Sequence, residues 1–136
     1  MKKTIEKENY LKTLYKMGEN SQAITVTSLA KHFSVSKSTV SNMIKKLVLM
    51  NLVDSKPYQP ILLTNSGKKI AIKIISKHRL IELYLFKKMQ FDLNEVHEIA
   101  EEIEHIKNKK FFNRMGEILG DIRIDPHGSI IPKCEF

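Results

Sequence analysis

A segment of eleven residues, 95–105 (EVHEIAEEIEH), contains two histidines and five glutamates. At about 100° per residue on a helix, four of these side chains project from one arc: His97, Glu101, Glu104 and His105. Imidazole nitrogens and carboxylate oxygens that share an arc are ligands for a divalent cation. The apolar residues of the segment take the opposite arc, and the His/Glu arc borders it. The segment therefore predicts half of a metal site, although a solvated acidic helix face has the same pattern.

A second candidate pair lies upstream, in residues 77–82 (KHRLIE). His78 and Glu82 are four residues apart, so both side chains project from one face of a helix. Two helices that pack antiparallel, joined by a short link around residues 90–94, would bring this pair beside the first segment. The two segments together would offer five or six ligands. A His/Glu pair at this spacing is common by chance, so it indicates a metal site only in combination with the segment 95–105.

The composition limits the class of protein. A chain of 136 residues with 42% hydrophobic residues is long enough for one or two small domains with cores of their own. It has no apolar run of membrane-spanning length, and its N-terminus, MKKTIEKENY, is not a signal peptide. The single cysteine, Cys134, excludes an internal disulfide and a cysteine-cluster zinc site. We therefore expect a soluble, cytoplasmic protein with no membrane partner.

Charge is distributed unevenly along the chain, whose formal net charge is +8. Residues 1–60 carry ten lysines and four acidic residues, whereas residues 91–136 carry six basic and ten acidic residues. A basic region favours a polyanionic partner, and an acidic region favours a cation. The alternative is a lysine-rich surface that serves only solubility.

The first 63 residues have the pattern of a winged helix-turn-helix domain. The spacing of apolar residues predicts helices over 4–17, 27–33 and 36–51, the last two joined by a tight turn. Two short strands, 52–54 and 61–63, then flank a turn that contains two prolines. This order is typical of a helix-turn-helix followed by a wing.

The third predicted helix has the composition of a DNA recognition helix. Its predicted buried residues are Val40, Ile44, Leu47 and Val48, and its other face is polar. Short polar side chains at a helix N-terminus can reach base edges or phosphates, and lysines one turn later can neutralise the DNA backbone. The predicted DNA-binding residues are Ser36, Lys37, Ser38, Thr39, Ser41, Asn42, Lys45 and Lys46. A plain three-helix core is the alternative, but the wing favours DNA.

The second half of the chain predicts an all-helical domain with an extended C-terminal tail. A long helix begins after Thr64, and a last helix covers residues 108–119. The last helix has more apolar residues than a small acidic domain needs, namely Phe111, Phe112, Met115, Ile118 and Leu119. We interpret the excess as a dimer interface. The predicted fold class is mainly α: a winged helix-turn-helix domain over 1–63, then a helical metal-binding and dimerisation domain over 64–136.

Six motifs occur together and span nearly the whole chain. They are ENYLKTLY at 8–15, the helix-turn-helix at 27–50, LTNSGKKIA at 63–71, KHRLIELYL at 77–85, EVHEIAEEIEH at 95–105 and DPHGSIIP at 125–132. Together they resemble the metal-dependent transcriptional repressors of the diphtheria toxin repressor type, a family that includes the manganese transport regulators. The resemblance implies a homodimer that binds a palindromic operator in double-stranded DNA.

The resemblance also implies two neighbouring metal sites. The implied ligands are Asn9, Glu101, Glu104 and His105 in one site and His78, Glu82 and His97 in the other. In the manganese branch of the family, positions 9 and 12 would be aspartate and glutamate, but this chain has Asn9 and Lys12. In the iron-responsive branch, positions 9 and 101 would be methionine and cysteine, and neither is present. Family members often continue into an SH3-like domain, so a chain that ends at Phe136 implies a short form or a fragment.

The sequence thus predicts a metal-dependent repressor of manganese or iron uptake genes. Oxygen and nitrogen ligands without a thiolate suit Mn(II) or Fe(II) as the co-repressor. A metal that joins the first helix to the acidic segment would raise the fraction of dimers whose recognition helices are about 34 Å apart, one turn of DNA.

The sequence also has features of two other classes of protein. One is a metal-independent winged-helix regulator of the multiple-antibiotic-resistance type, in which the His/Glu face would be structural or form a small-molecule pocket. The other is an enzyme, which we do not expect, because HEIAE at 97–101 has glutamate where the zinc-protease motif has its second histidine. We therefore expect neither a catalytic residue nor a small-molecule substrate.

Overall fold

The computed structural model describes residues 2–121 and 123–136. Over these residues the chain forms helices and one two-stranded antiparallel sheet, which confirms the mainly α fold class. The elements are α1 (Lys2–Glu19), α2 (Val26–Phe33), α3 (Lys37–Leu49), β1 (Val53–Asp54), β2 (Leu62–Leu63), α4 (Asn65–Lys87), α5 (Leu93–Ile103) and α6 (Lys109–Leu119). None of the helices described is long and apolar enough to cross a membrane.

The chain divides into two compact units, unit 1 (Met1–Ala71) and unit 2 (Ile72–Phe136). Each unit has a hydrophobic core of its own. The division falls within α4, so this helix contributes its first turns to unit 1 and its remaining turns to unit 2. The predicted domain boundary, between residues 63 and 64, lies just before the helix begins.

The helix-turn-helix of unit 1 is fixed by local hydrogen bonds at the helix ends. Thr25 caps α2, because its hydroxyl accepts a hydrogen bond from the Ser28 amide at 3.0 Å while Ser28 Oγ accepts one from the Thr25 amide at 2.9 Å. Ser34 ends α2 in the left-handed region, with φ 54°. Ser36 then begins α3 by accepting a hydrogen bond from the Thr39 amide at 3.1 Å. The turn between the two helices is therefore only three residues long.

The buried face of α3 differs from the prediction at one position. Its buried residues are Val40, Met43, Ile44 and Leu47, whereas Val48 is 40% exposed. Residue 48 lies about 100° around the helix from Leu47, which turns it away from the core. The prediction of a buried Val48 was therefore wrong, and Met43 fills the core instead.

The wing packs against the start of α4. Strand β1 pairs antiparallel with β2, with Val53 opposite Leu63. The hydroxyl of Thr64 caps α4 by accepting a hydrogen bond from the Gly67 amide at 3.1 Å, as the sequence predicted. A Cβ on Gly67 would overlap the carbonyl oxygen of Leu52. Glycine is thus required here, because α4 lies directly against the backbone that leads into the wing.

In unit 2, α5 begins and ends two residues earlier than the segment 95–105 that the sequence predicts as helical. It ends at Ile103, Glu104 is its C-cap residue, and His105 lies in the turn that follows. Asn108 then caps α6 by accepting a hydrogen bond from the Lys110 amide at 2.9 Å, so only a short connection separates the two helices. The side chains of residues 104 and 105 are consequently placed by a turn.

The C-terminal tail, residues 123–136, is extended with one tight turn. A single antiparallel bridge joins Ile124 to Ile130. Within the turn, Oδ1 of Asp125 accepts hydrogen bonds from the amides of His127 at 2.9 Å and Ser129 at 2.8 Å. Cys134, near the end of the tail, is half-buried.

Candidate metal centre and nucleic-acid interface

The candidate metal centre begins with two buried side chains of α4. His78 and Glu82 are 1% and 3% exposed, and Nε2 of His78 lies 3.2 Å from Oε1 of Glu82. They share one face of the helix because they are four residues apart. Ionisable side chains are buried in proteins chiefly where they are paired or bind a metal.

Helix α5 adds His97 and Glu101. Nδ1 of His97 lies 3.2 Å from Nε2 of His78 and 3.7 Å from Oε2 of Glu82. Nε2 of His97 lies 3.0 Å from Oε1 of Glu101, and both of these side chains are half-exposed. The contacts therefore lead from the buried pair on α4 to the surface of unit 2.

The turn after α5 adds Glu104 and His105. Glu104 is fully buried, and its Oε2 lies 2.7 Å from Nδ1 of His78. Its other oxygen, Oε1, lies 3.5 Å from Nε2 of His105. His78 thus contacts one carboxylate through each ring nitrogen, Glu104 on one side and Glu82 on the other.

Unit 2 thereby brings six of the seven predicted ligands into one continuous set of contacts. The seventh, Asn9, belongs to α1 of unit 1, where it is half-buried, and its role as a ligand stays a prediction. Lys12, one turn later on α1, is also buried.

The tail contributes two further candidate ligands that the sequence analysis missed. Nδ1 of His127 lies 3.5 Å from Oε2 of Glu82. Ligand atoms of Glu82, Asp125 and His127 all lie within 4.8 Å of one another, as do those of His78, Glu82 and His97. We call these five residues together the Glu82 cluster. The signal in the sequence is an aspartate and a histidine two residues apart, in the motif at 125–132.

The pKa values of the central pair show how strongly the two groups interact. Burial is the largest single effect on His78 and lowers its pKa, but hydrogen bonds to Glu104 and Glu82 and the charges of both carboxylates outweigh it, so its pKa is raised. Burial likewise acts to raise the pKa of Glu82, but the hydrogen bond and charge of His78, with the charges of His127 and His97, lower it overall. The centre thus favours positive charge beside its carboxylates.

The residues present fit a divalent cation. Oε2 of Glu82 is buried and accepts no hydrogen bond from any residue that the structure describes. A buried carboxylate oxygen without a hydrogen bond costs free energy unless a cation compensates it. The surrounding donors are imidazole nitrogens and carboxylate oxygens, which suit Mn(II) and Fe(II).

The nucleic-acid interface predicted on α3 is a polar surface of unit 1. Of the eight predicted residues, all are exposed except Ser41, which is half-buried. Ser36 is partly engaged within the protein, because its hydroxyl caps α3 and lies 2.9 Å from the hydroxyl of Thr39. Lys45 and Lys46 stand on the exposed side of the next turn. The surface can offer hydroxyl, amide and ammonium groups to a nucleic acid.

The tip of the wing presents an aromatic side chain that the sequence analysis did not single out. Tyr58 is fully exposed and has φ 60°, a left-handed conformation that is rare for a large residue. Its neighbour Lys56 is exposed as well. The end of this loop is anchored, because Ile61 is buried and donates a backbone hydrogen bond to the carbonyl of Ile24 at 2.9 Å.

The predicted dimer interface on α6 is only partly available. Phe112, Met115 and Leu119 belong to the core of unit 2, so most of the apolar surface of α6 that remains exposed comes from two other side chains. Phe111 and Ile118 are exposed. Both line an open groove of about 690 Å³ whose other walls come from α4, α5 and the turn after α5.

Comparisons with known proteins connect both units to one family. The family model for the iron dependent repressor N-terminal DNA binding domain matches residues 3–61. The model for the iron dependent repressor metal binding and dimerisation domain matches residues 64–133. The two matches together cover nearly the whole chain.

Individual relatives agree with the family models. The diphtheria toxin repressor of Corynebacterium glutamicum is 30% identical over 125 residues, which are 92% of this chain and 55% of that protein. The HTH-type transcriptional regulator MntR of Bacillus subtilis is 27% identical over 112 residues, 82% of this chain and 78% of that protein. This chain thus spans about half the length of the diphtheria toxin repressors that it resembles.

Solved structures show the same similarity. A manganese-dependent transcriptional repressor in complex with manganese is 35% identical, with a TM-score of 0.86 over 93% of this chain and 58% of that one. The manganese regulator SloR is 37% identical, with a TM-score of 0.83 over 96% of this chain and 60% of that one.

Proposed function

The chain belongs to the iron-dependent repressor family, a family of transcriptional regulators and not of enzymes, and we propose that it is itself a metal-dependent DNA-binding repressor. Its co-repressor is Mn(II) or Fe(II), it acts in the cytoplasm, and its targets are manganese or iron uptake genes. The observation that carries this proposal is the buried Glu82 carboxylate oxygen, which lies among imidazoles in a chain that also exposes a polar recognition helix.

The metal ligands that we propose come from both of the predicted groups and from the tail. They are Asn9, His78, Glu82, His97, Glu101, Glu104 and His105, together with Asp125 and His127. A protonated lysine cannot ligate, so Lys12 contributes no ligand where the manganese branch would have glutamate. A bound cation supplies the positive charge that the buried carboxylates require.

Within unit 2, His78 is the residue that joins the parts of the centre. Its two ring nitrogens contact Glu82 on its own helix and Glu104 after α5. This arrangement orients both carboxylates toward the interior, where each can share a cation. We propose that metal binding stiffens this arrangement and so raises the fraction of dimers that can bind DNA.

The groove beside α6 is the surface that we propose for dimerisation. Its walls are mainly apolar and include Phe111, Met115 and Ile118, with Arg114 at the edge. Exposed apolar side chains that form one continuous surface often mark a contact with another protein. A second copy is the occupant that agrees with the dimerisation domain matched over residues 64–133.

The DNA side of the proposal rests on α3 and the wing. Asn42 would read base edges in the major groove, and Lys45 and Lys46 would neutralise phosphates. Lys56 and Tyr58 of the wing would contact the backbone beside the major groove. The proposed operator is palindromic, because a twofold-symmetric dimer presents two equal recognition helices.

The test is a fluorescence-anisotropy titration of a palindromic candidate operator at one fixed salt concentration. The protein is titrated with a chelator, then with Mn(II), and then with Fe(II) under anaerobic conditions. Tight binding only with metal is the expected result, and the two metal arms rank the ions. Equal binding in the presence of chelator would reject the co-repressor mechanism and favour a metal-independent regulator, which the family assignment does not favour.

The dimer has a separate test. Replacing Ile118 with glutamate places a charge in the groove, so sedimentation velocity should show monomers where the unchanged protein forms dimers. The control is Ile130→Glu, a substitution at an exposed tail position outside the groove. Dimers of undiminished stability in Ile118→Glu would exclude this surface.

A further inference from the structure

A row of three buried polar side chains winds along the buried surface of α4. Ser76, Arg79 and Glu82 follow one another at intervals of three residues, so each side chain is a neighbour of the next on the helix surface. Glu82 belongs to the candidate metal centre, whereas Ser76 and Arg79 lie beyond it. Serine and arginine are seldom fully buried without a polar partner, so their contacts explain why they lie on this face.

Both side chains hold the backbone of the tail. The hydroxyl of Ser76 donates a hydrogen bond to the carbonyl of Pro132 at 2.7 Å. Nη1 of Arg79 donates a hydrogen bond to the carbonyl of Ile130, and such a bond from a charged donor is stronger than a neutral one. As α4 advances from residue 76 to residue 79, its contacts move back along the tail from residue 132 to residue 130.

The next contact in the same row is a candidate metal ligand. Glu82, one step further along α4, lies 3.5 Å from His127 of the tail. Between Ile130 and His127 the chain forms the turn that Asp125 stabilises by accepting two backbone hydrogen bonds. The position of that turn therefore depends on where Arg79 holds Ile130.

We propose that Ser76 and Arg79 are positioning residues that hold the tail as a strap, so that Asp125 and His127 complete the Glu82 cluster. The inference rests on the proposed metal-dependent function. Because binding linkage is reciprocal, a strap that supplies ligands raises metal affinity, and bound metal in turn holds the strap. Removing an outer partner that orients ligands typically weakens metal binding about 10-fold to 100-fold.

The experiment compares the full chain with Arg79→Gln, Ser76→Ala and the conservative variant Arg79→Lys. Lys87→Gln is the matched control, since it removes an exposed positive charge of the same helix. Isothermal titration with Mn²⁺ alone gives the affinity. Hydrogen exchange of tail peptides, measured with and without Mn²⁺, gives a readout that does not depend on DNA binding.

The expected result is that Mn²⁺ slows exchange in the tail of the unchanged protein and of Lys87→Gln. In Arg79→Gln the Mn²⁺ affinity should fall about tenfold, and tail exchange should no longer respond to Mn²⁺. Ser76→Ala should shift both readouts less, because one neutral hydrogen bond is lost. Arg79→Lys keeps a charged donor, so its Mn²⁺ affinity should be higher than that of Arg79→Gln.

Unchanged affinity and tail protection in Arg79→Gln and Ser76→Ala would overturn the strap while leaving the proposed function standing. An unchanged protein that binds no Mn²⁺, and no Fe²⁺ in the same titration under anaerobic conditions, would reject the proposed function itself. Loss of helical circular dichroism in Arg79→Gln would mean that this variant does not fold. Ser76→Ala, which removes only one hydroxyl, then tests the strap on its own: unchanged Mn²⁺ affinity and tail protection would overturn it, and a decrease in both would support it.

Discussion

The two units carry their functional side chains in opposite ways. In unit 1 the predicted DNA-binding residues stand on the exposed face of α3, and only Ser36 and Thr39 also serve the helix cap. In unit 2 the proposed central ligands His78, Glu82 and Glu104 are buried, and both carboxylates contact the His78 imidazole. A substitution on α3 should thus remove a contact with the proposed DNA partner, whereas a substitution at the candidate metal centre removes a contact within the fold. Recognition and stability are separable in unit 1 and coupled in unit 2.

The largest effect is expected from Glu82→Gln, which tests this coupling directly. The amide keeps the shape but removes the charge, so metal-dependent operator binding should weaken about 100-fold or more, as expected when a central ligand is lost. Urea unfolding of the metal-free protein should also show a lower free energy of unfolding, because buried His78 loses a charged partner. Glu98→Gln, at an exposed position of α5, is the control. Unchanged metal dependence in Glu82→Gln would contradict the assignment.

Thermal unfolding should reveal the same coupling without any mutation. At a Mn²⁺ concentration about 100 times its Kd, binding to the folded state alone contributes about 2.7 kcal/mol. For a chain of this size that corresponds to an increase in Tm of roughly 10 °C. Differential scanning calorimetry with Mn²⁺ and with chelator measures it. Lys45→Ala should retain the full increase and Glu82→Gln should lose it; equal increases in both would place the ion elsewhere.

At the exposed surface of α3, Asn42→Ala should weaken binding to the operator with almost no change in Tm. Loss of a side chain that reads base edges costs about 1–3 kcal/mol on the correct site, hence about tenfold or more in affinity. Binding to random DNA should change little. Anisotropy titrations with operator and with scrambled duplex make the comparison, and equal losses on both duplexes would assign Asn42 to the backbone instead.

The smallest effect is expected from Lys45→Ala and Lys46→Ala. Each should weaken operator and scrambled DNA by the same few-fold factor, and each lost phosphate contact should reduce the slope of log affinity against log salt by about 0.9. Titrations at several salt concentrations give the slope. A loss confined to the operator would contradict a backbone role.

The fold was largely predictable, because periodicity and capping residues act locally. The predicted helix starts at Ser36 and after Thr64 and the two-stranded wing all appear in the structure. The requirement for glycine at Gly67 could not be predicted, since its neighbour across the fold, the Leu52 carbonyl, is fifteen positions away in sequence. Contacts of this kind depend on packing between elements, which periodicity does not encode.

The sequence predicted those residues of the candidate metal centre that share one face of a helix. His78 and Glu82 are four residues apart, and α5 supplies His97 and Glu101 at the same interval. Glu104 and His105 also joined the centre, although a turn places them and not the predicted helix. Asp125 and His127 were missed, because only the tertiary path of the tail along α4 brings them near Glu82. The dimer face was overestimated on α6, since spacing alone does not separate a core residue from an interface residue.

The only cysteine of the chain, Cys134, lies two residues beyond Pro132, whose carbonyl Ser76 holds. A thiol-reactive nitroxide or fluorophore would therefore attach at a single position, in the tail, without removal of any other cysteine. Its side chain is half-buried, so detachment of this end of the tail would expose the thiol further and raise the rate of labelling. Thiol chemistry thus offers a direct kinetic probe of the tail in the unmutated protein.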